Sequence, residues 1–503
     1  MNKLDNIKTA KHEECDILLI NPPVSNRDMP KDEIVIKYFK TLENAGRHLL
    51  GDSDIEPNYG LLSIAANIRK NIPDKTIKVL DFNILDKKLR ATQNRALTND
   101  DIKKELEKYH PLVSGISFMT SSYGEWGKDL IKFTKQRSTF LFLGGIHPTV
   151  KPREIFMENS KKNTGDDEDY VNGIVVGEGE IVFVEIIRQI YKNGKFQDMP
   201  HVYTGKKEVE RAILNNQQLN ELPIPAYDLM YKDDEAIIPR LYTSRGCNFR
   251  CSMCSVGEFY KTKNQSDPVP VETGKILNDI KELHDKYVIS HYVIGDLCSF
   301  DNAIKFRMFL EELEKIQEHE NFRDYNWWCQ TRGDVITEEF ALQLKKTRFS
   351  QIAIGCEGAS QAQLDSIHKH EGADVIARAL KTLRDNQIDT QCYWILGLPG
   401  ETKETIQKTQ EKILRYLQDG LTTIPHITIL VPYPNTDIYN EKTGIEIVEH
   451  DYSKYWMNCD LYGYGKPVYK TVDTHRDTLL SSDDIYNYWL ETLQKVTEYF
   501  TGV

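Results

Sequence analysis

Twice along its 503 residues the chain alternates short apolar runs with stretches of helical periodicity, and this pattern restricts the fold more than any other feature. In the first series the runs are residues 16–20, 76–80, 113–118, 140–143 and 174–176. Helical stretches separate them, among them 60–70, where Leu61, Leu62, Ile64, Ala65 and Ile68 share one face, and 180–192. Apolar β-type runs alternating with helices imply a parallel sheet covered on both faces. Residues 1–198 are therefore expected to form an α/β, Rossmann-like doubly wound domain of about five strands.

Residues 199–236 are polar, with Asn215, Asn216, Gln217 and Gln218 in a row and prolines at Pro223 and Pro225, and read as a linker. The second series fills residues 237–436, with runs at 238–242, 291–295, 327–331, 351–355, 391–396 and 427–431. Six such units fall short of the eight of a closed barrel, so an open, partial (β/α)6 barrel of the TIM type is expected. Residues 437–503 depart in composition. They hold Tyr439, Tyr452, Tyr455, Trp456, Tyr462, Tyr464, Tyr469, Tyr486, Tyr488 and Trp489 and end in an amphipathic stretch at 482–500. A C-terminal capping subdomain is expected, its aromatics forming a core or lining a substrate cavity.

The 76 acidic side chains outnumber the 64 basic ones, a net charge of −12, and no run of five Lys or Arg occurs, which argues against nucleic acid as a general partner. The first 15 residues are polar, and nowhere do 18 apolar residues run together, so neither secretion nor membrane spanning is expected and a cytoplasmic location is. Nine cysteines make an odd count. Three of them lie within eight residues, which in a reducing cytosol points to metal or cluster ligation and not to disulfides.

Those three occur in Arg245-Gly246-Cys247-Asn248-Phe249-Arg250-Cys251-Ser252-Met253-Cys254, directly after the first run of the second series. Three thiolates at this spacing can wrap one face of a cubane iron-sulfur cluster, which normally takes four cysteines, and so leave one iron open to an outside ligand. Loops at the carboxyl ends of parallel barrel strands are where cofactor sites collect. Gly246 suits a sharp turn before the first ligand. Two other readings stand beside this one. A structural zinc needs a fourth ligand, the next cysteine being Cys298 on another unit; unliganded thiols would be inert, although Arg245 and Arg250 favour thiolates.

The motif resembles that of the radical S-adenosylmethionine (SAM) superfamily, which binds a 4Fe-4S cluster through Cys-x3-Cys-x2-Cys on a partial (β/α)6 barrel. The resemblance implies that Cys247, Cys251 and Cys254 are the catalytic metal ligands, and that SAM occupies the fourth iron and is cleaved to a 5′-deoxyadenosyl radical after one-electron reduction. Met253 stands where the family usually has an aromatic residue. Further segments fit the same family: Ile294-Gly295-Asp296, Gln330-Thr331-Arg332-Gly333-Asp334, Ile354-Gly355-Cys356-Glu357-Gly358-Ala359-Ser360, Gly397-Leu398-Pro399-Gly400-Glu401-Thr402 and Pro432-Tyr433-Pro434-Asn435-Thr436. All lie where strands run out. Arg332 is assigned to the SAM carboxylate, Glu357 to its ammonium or ribose, Ser360 to a further polar contact and Gly397 to a close turn at the cofactor.

In the first domain, Asn21-Pro22-Pro23, Pro57-Asn58-Tyr59-Gly60-Leu61, Gly115-Ile116-Ser117, Gly144-Gly145-Ile146-His147-Pro148-Thr149 and Gly177-Glu178-Gly179-Glu180 resemble the cobalamin-binding domain of the cobalamin-dependent radical SAM subclass. Gly144, Gly145, His147, Gly177, Glu178 and Gly179 are the implied cofactor contacts. Asp81-Phe82-Asn83-Ile84-Leu85 lacks the His that ligates cobalt in related domains, so either cobalt binds without a protein imidazole or the domain has lost its cofactor. His147 is taken as structural or as touching the cofactor tail.

The implied activity is methyl transfer to an unactivated carbon of a small molecule, with a reducing protein such as flavodoxin or ferredoxin as electron donor. The alternative is a dehydratase, epimerase or cyclase of the same architecture, for which Cys298, Cys329, Cys356 or Cys392 would be a hydrogen donor if it faced the cavity. A non-catalytic cobalamin or cluster sensor is a third reading, marked by failure to cleave SAM under strong reduction.

Overall fold

The computed structural model describes residues 15–23, 33–45, 58–159, 171–231, 235–260, 267–299, 303–318, 325–441, 443–455 and 466–502. Pro57, Trp456, Tyr462 and Tyr464, all singled out above, lie outside the described residues. The chain divides into two compact units.

In the first unit, β1 (Ile17–Asn21), β2 (Ile77–Asp81), β3 (Val113–Ser117), β4 (Phe140–Gly144), β5 (Gly173–Val175) and β6 (Val202–Tyr203) form one sheet in the order β2-β1-β3-β4-β5-β6. β1 to β5 are parallel and β6 runs antiparallel to β5. Ile17, Leu18, Leu19 and Ile20 are all buried, so β1 is covered on both faces, as its unbroken apolar run requires. Leu18, Ile20 and Ile116 share a core with Trp126, Leu130 and Ile131 of the helix Thr120–Lys135. On the other face the helix Glu180–Asn193 comes so near that a Cβ on Gly115 would lie 2.9 Å from the Phe183 ring. Strand order reverses between β1 and β3, which places a crevice beyond their carboxyl ends at Asn21 and Ser117.

The second unit holds β7 (Arg240–Leu241), the antiparallel hairpin β8 (Ser244–Arg245) and β9 (Val269–Pro270), then β10 (Tyr292–Ile294), β11 (Trp327–Thr331), β12 (Phe349–Glu357), β13 (Asp389–Leu396) and β14 (Ile424–Ile429). Six of these strands are all parallel in the order β14-β13-β12-β11-β10-β7. The order never reverses. Right-handed crossovers that always step in one direction put every helix on the same face, so the other face becomes a lumen. β7 and β14 remain unpaired to each other, which leaves the barrel open.

Segment 199–236 carries more structure than a linker. It supplies β6, the helix Asn216–Glu221 and a turn at Tyr227–Leu229; residues 214–221 pack with the second unit and 222–230 with the first. A two-residue strand is too short to leave a periodic signal. The helix Glu33–Asn44 belongs to the second unit, where the Tyr38 hydroxyl donates to the Pro425 carbonyl.

The tail forms an antiparallel sheet of β15 (Ile445–Ile447), β16 (Tyr469–Val472) and β17 (Thr478–Leu480), followed by the helix Ser482–Thr501. Ser481 and Asp484 close a capping box at its start and left-handed Gly502 ends it. Tyr455, Tyr469 and Trp489 are fully buried, so these aromatics are core. The Trp489 indole donates to the Ile427 carbonyl at 2.9 Å, and the Tyr469 hydroxyl to that of Gly397 at 2.8 Å.

Candidate functional site

Register decides which side chains face the barrel lumen. Val293, Trp328 and Ala353 pack together with Ile238 and Tyr393, which marks their parity as inward. Cys329 pairs with Ile352 and Cys392 with Ile354, on the opposite parity. Both thiols are wholly buried on the helix side, and Cys356, hydrogen-bonded to Cys392, lies with them. These three are the small buried hydrophobes that cysteines commonly are. None lines the lumen.

The cysteine loop leaves β8 at Gly246, whose φ of 105° confirms the sharp turn. Asp296, buried just past β10, holds the approach to it, accepting from the Thr243 and Ser244 amides at 2.7 and 3.2 Å and from both hydroxyls. Burial pushes its pKa up to about 6, against those hydrogen bonds. Ser252 N–H donates to Ile367 O at 2.9 Å and Ile438 N–H to Ser252 O at 3.1 Å, so the loop is pinned from two sides. Cys247, Cys251 and Cys254 are all partly exposed. Burial raises the Cys251 pKa to about 11, with the Lys369 charge the largest influence in the other direction. Cys254 is raised by burial too, and the amides of Val256 and Gly257 counter this.

Among the described residues no three His, Cys, Asp or Glu side chains converge on one metal ion. A cubane that takes a thiolate on each of three irons needs three free thiols near one common space; Cys247, Cys251 and Cys254 are free, share one pinned loop and lie within electrostatic reach of one another through Cys254, which fits that group.

Beside it lies a cluster of buried charges. Arg332, which the sequence assigns to a ligand carboxylate, spends its guanidinium on the protein: Nε and Nη2 donate to Asp334 at 3.2 and 2.9 Å, Nη1 to Lys369 O at 2.7 Å and Nη2 to His370 O at 3.0 Å. Four of its five N–H bonds are thereby committed. Its flat face lies 3.8 Å over the Phe249 ring of the cysteine loop. Glu357 is placed at the mouth by a bulge at the end of β12 and receives the Lys369 ammonium at 2.9 Å. Glu371 accepts from the amides of Gly333 and Asp334 at 2.6 and 3.0 Å. Sequence reasoning missed Lys369 and Glu371. No motif marks them, since an isolated Lys in a polar stretch has the look of a solvated surface.

Ser360 and Gly397 are likewise put to structural use. Ser360 caps the helix Gln361–Ser366 in a reciprocal capping box with Gln363, which its spacing three residues on signals in the sequence. Gln363 also donates to Glu401 at 2.6 Å, and Glu401 receives the amides of Gly397 and Leu398 at 2.5 and 3.2 Å. Burial lifts the Glu401 pKa to about 7 against these bonds. Gly397 has φ of 79°, and a Cβ there would overlap the Tyr469 hydroxyl.

In the first unit, Gly145 and Gly177 have φ of 93° and 99°. A Cβ would strike the Phe118 carbonyl oxygen at 2.6 Å from the first and overlap the Ala212 backbone from the second, so both glycines serve the close approach of the chain to itself. Gly179 meets Ile64. Gly144 alone of the four has open space, its nearest such neighbour being Val175 at 3.9 Å. His147 is fully buried with its ring 5.0 Å from that of Tyr123, and burial lowers its pKa to about 3, a neutral structural imidazole. Glu178 is buried, and its amide donates to Ala212 O at 2.8 Å. Asp81 caps the helix Phe82–Gln93 and accepts from Asn21 at 2.8 Å. The partly exposed Asn21, Ser117, Gly144 and Gly145 give this sheet edge hydrogen-bonding groups without charge, which fits a neutral, amide-rimmed ligand.

Residues 241–413 match the family model of the Radical SAM superfamily. An uncharacterized methyltransferase of Pyrococcus horikoshii is 26% identical over 412 residues, covering 79% of this chain and 80% of that protein. An anaerobic magnesium-protoporphyrin IX monomethyl ester cyclase of Rubrivivax gelatinosus is 25% identical over 378 residues, 71% of this chain and 63% of that one. Among solved structures, the radical S-adenosylmethionine methyltransferase TsrM of Kitasatospora setae, determined with cobalamin and a 4Fe-4S cluster bound, superposes with a TM-score of 0.63. That match spans 95% of this chain and 88% of TsrM at 14% identity, a likeness of fold. Among the described residues no helix is long and apolar enough to cross a membrane.

Proposed function

We propose that the chain is a cobalamin-dependent radical SAM enzyme that transfers a methyl group to a carbon of a small molecule, its residues 241–413 matching the superfamily. The observation that carries this reading is the pinned loop of three separate thiols at the mouth of an open barrel, beside the buried charges of Glu357, Lys369 and Arg332. Cys247, Cys251 and Cys254 would hold a 4Fe-4S cluster, Glu357 would meet the ammonium of SAM, and the uncharged edge at Gly144 would meet cobalamin. When bound, these groups supply one-electron reduction, a cleavable sulfonium and a transferable methyl.

The protein's own part is positional. Asp296 and the Ser252 hydrogen bonds fix where the thiols stand. Glu401 fixes the turn that carries Gly397, and Tyr469 closes over it from the tail. Arg332 acts as a strut between the loop at Phe249 and the carbonyls of Lys369 and His370. A low-potential reducing protein such as flavodoxin or ferredoxin would deliver the electron.

The second reading, a cyclase or other enzyme of the same architecture that does not methylate, is favoured by the cyclase among the relatives. An epimerase using Cys329, Cys356 or Cys392 as hydrogen donor is disfavoured by their position behind the strands. The test is anaerobic reconstitution with iron, sulfide and hydroxocobalamin, followed by an ultraviolet-visible spectrum. Iron-sulfur absorption that disappears in the Cys247→Ala/Cys251→Ala/Cys254→Ala variant, together with retained corrin bands, supports methyl transfer. A cluster without corrin moves the assignment to the second reading, and no iron or sulfide at all removes both.

A further inference from the structure

The segment 367–371 touches the cysteine loop and the strand ends together. Ile367 O receives the Ser252 amide. The carbonyls of Lys369 and His370 receive Arg332, which in turn covers Phe249. The Lys369 side chain then turns inward, its ammonium donating to Gly355 O at 2.8 Å and Glu357 at 2.9 Å, with Glu371 at 3.6 Å. Its side chain is only 6% exposed and its nitrogen is held by these three oxygens at once. Burial works against its charge, yet Glu357 and Glu371 outweigh that and keep it protonated. Lys369 and Glu357 both lie within electrostatic reach of Cys251.

We propose that Lys369 is a positioning residue that sets the reduction potential of the cluster held by Cys247, Cys251 and Cys254, its buried positive charge favouring the reduced state and Glu357 opposing it. This rests on the cluster reading above and extends it to Lys369, which no motif assigns, and to a second effect of Glu357. The potential of an iron-sulfur cluster depends on the net charge around it, on hydrogen bonds to its sulfurs and on exposure. Charges fixed in a water-poor site are weakly screened, so they act on the cluster more strongly than surface charges at similar range. Reduction adds one negative charge to the cluster. An immobile ammonium therefore raises the potential, and an immobile carboxylate lowers it. Paired, the two nearly cancel, and removing either one unbalances the site in a known direction.

The test uses the full chain, reconstituted with iron and sulfide and kept free of SAM. It is titrated with titanium(III) citrate, each titanium(III) giving one electron to the 2+ cluster to form the 1+ state, which electron paramagnetic resonance counts. Lys369→Met is expected to lower the reduced-to-oxidised ratio about tenfold at the wild-type midpoint, and Glu357→Gln to raise it about tenfold, each a displacement of about 59 mV for one electron. The double variant Lys369→Met/Glu357→Gln is expected to return to the wild-type midpoint. A purely structural role would not move the two single variants in opposite directions.

If Lys369→Met assembles no cluster because Glu357 is left buried without a counter-charge, Glu357→Gln and the double variant decide the matter. A raised potential in the first that returns to the wild-type value in the second supports the proposal, and no difference between them overturns it. Clusters in every variant at one potential overturn this inference and leave the cluster reading standing. A wild-type chain that takes up no iron or sulfide overturns the cluster reading and this inference with it.

Discussion

Replacing Glu401 by Gln is expected to reverse its effect on stability between acid and alkaline pH. The buried carboxyl has a pKa of about 7, raised from an ordinary 4.5 chiefly by burial. A folded-state pKa above the unfolded one means the stabilising contribution is fully present below about 4.5 and is lost as pH rises through about 7. At about 1.4 kcal/mol per pKa unit the loss comes to about 3 kcal/mol by pH 8.5. Gln carries no such penalty, but it presents an amide to the Gln363 amide that now donates to Glu401, which costs about 1 kcal/mol. Glu401→Gln should therefore be less stable than wild type by about 1 kcal/mol at pH 4.5 and more stable by about 2 kcal/mol at pH 8.5. Guanidinium unfolding of the cluster-free chain, followed by tryptophan fluorescence, is the assay. Of the five described tryptophans, Trp327, Trp328, Trp394 and Trp489 lie in the second unit, so the signal reports mainly on the relevant core. Asp296 titrates in the same sense with a pKa of about 6, but it is present in both proteins and cancels in the difference. A stability difference that is the same at both pH values would refute the reasoning.

Two further outcomes follow from the same region. Ser360→Ala should cost about 1 kcal/mol through loss of the helix cap while leaving SAM affinity, measured by calorimetry, within experimental error of wild type; a large fall in affinity would restore the hydroxyl to the ligand. Tyr469→Phe leaves the Gly397 carbonyl without its buried donor and should lower the unfolding free energy by about 1–3 kcal/mol; an unchanged unfolding midpoint would show that the tail does not brace that turn.

The two parallel sheets were legible because each strand leaves several consecutive apolar residues and each helix a periodic face. The Cys247–Cys254 loop stood out because its thiol spacing is a chemical pattern in itself, and the fold places it after β8 beside the ends of the barrel strands. Other parts left no such trace. β6 and the antiparallel strands of the tail are only two to four residues long, and the helix Glu33–Asn44 joins a core built by residues hundreds of positions away. Glycines gave their positions but not their reason: Gly145 and Gly177 look like room for a ligand in the sequence, and in the fold that room is taken by Phe118 and Ala212. Arg332 and Ser360 are residues that bind ligands in many sites, yet local partners at 334 and 363 were near enough to claim them first.

Three of the nine non-glycine residues with left-handed backbone among the described residues fall in the same region. Glu357, His368 and His370 have φ of 53°, 52° and 51°, left-handed values that cost a side-chain-bearing residue roughly 1–2 kcal/mol each. Histidine enters this region more readily than most residues, so the strain is greatest at Glu357, where propensity does not favour it. At His370 the left-handed turn follows the two carbonyls that Arg332 grips, and at Glu357 it follows the bulge that pairs this residue with Trp394, whose side chain is wholly buried. The left-handed backbone accompanies a Glu357 carboxylate aimed at Lys369. Strain of this kind persists only where neighbouring interactions over-determine it, and it concentrates at working sites. Here the over-determination is visible: one ammonium with two carboxylates, one guanidinium with a carboxylate and two carbonyls, and a ring beneath it. The left-handed turn at Glu357 thus sets a carboxylate against Lys369 and within electrostatic reach of Cys251 and Cys254.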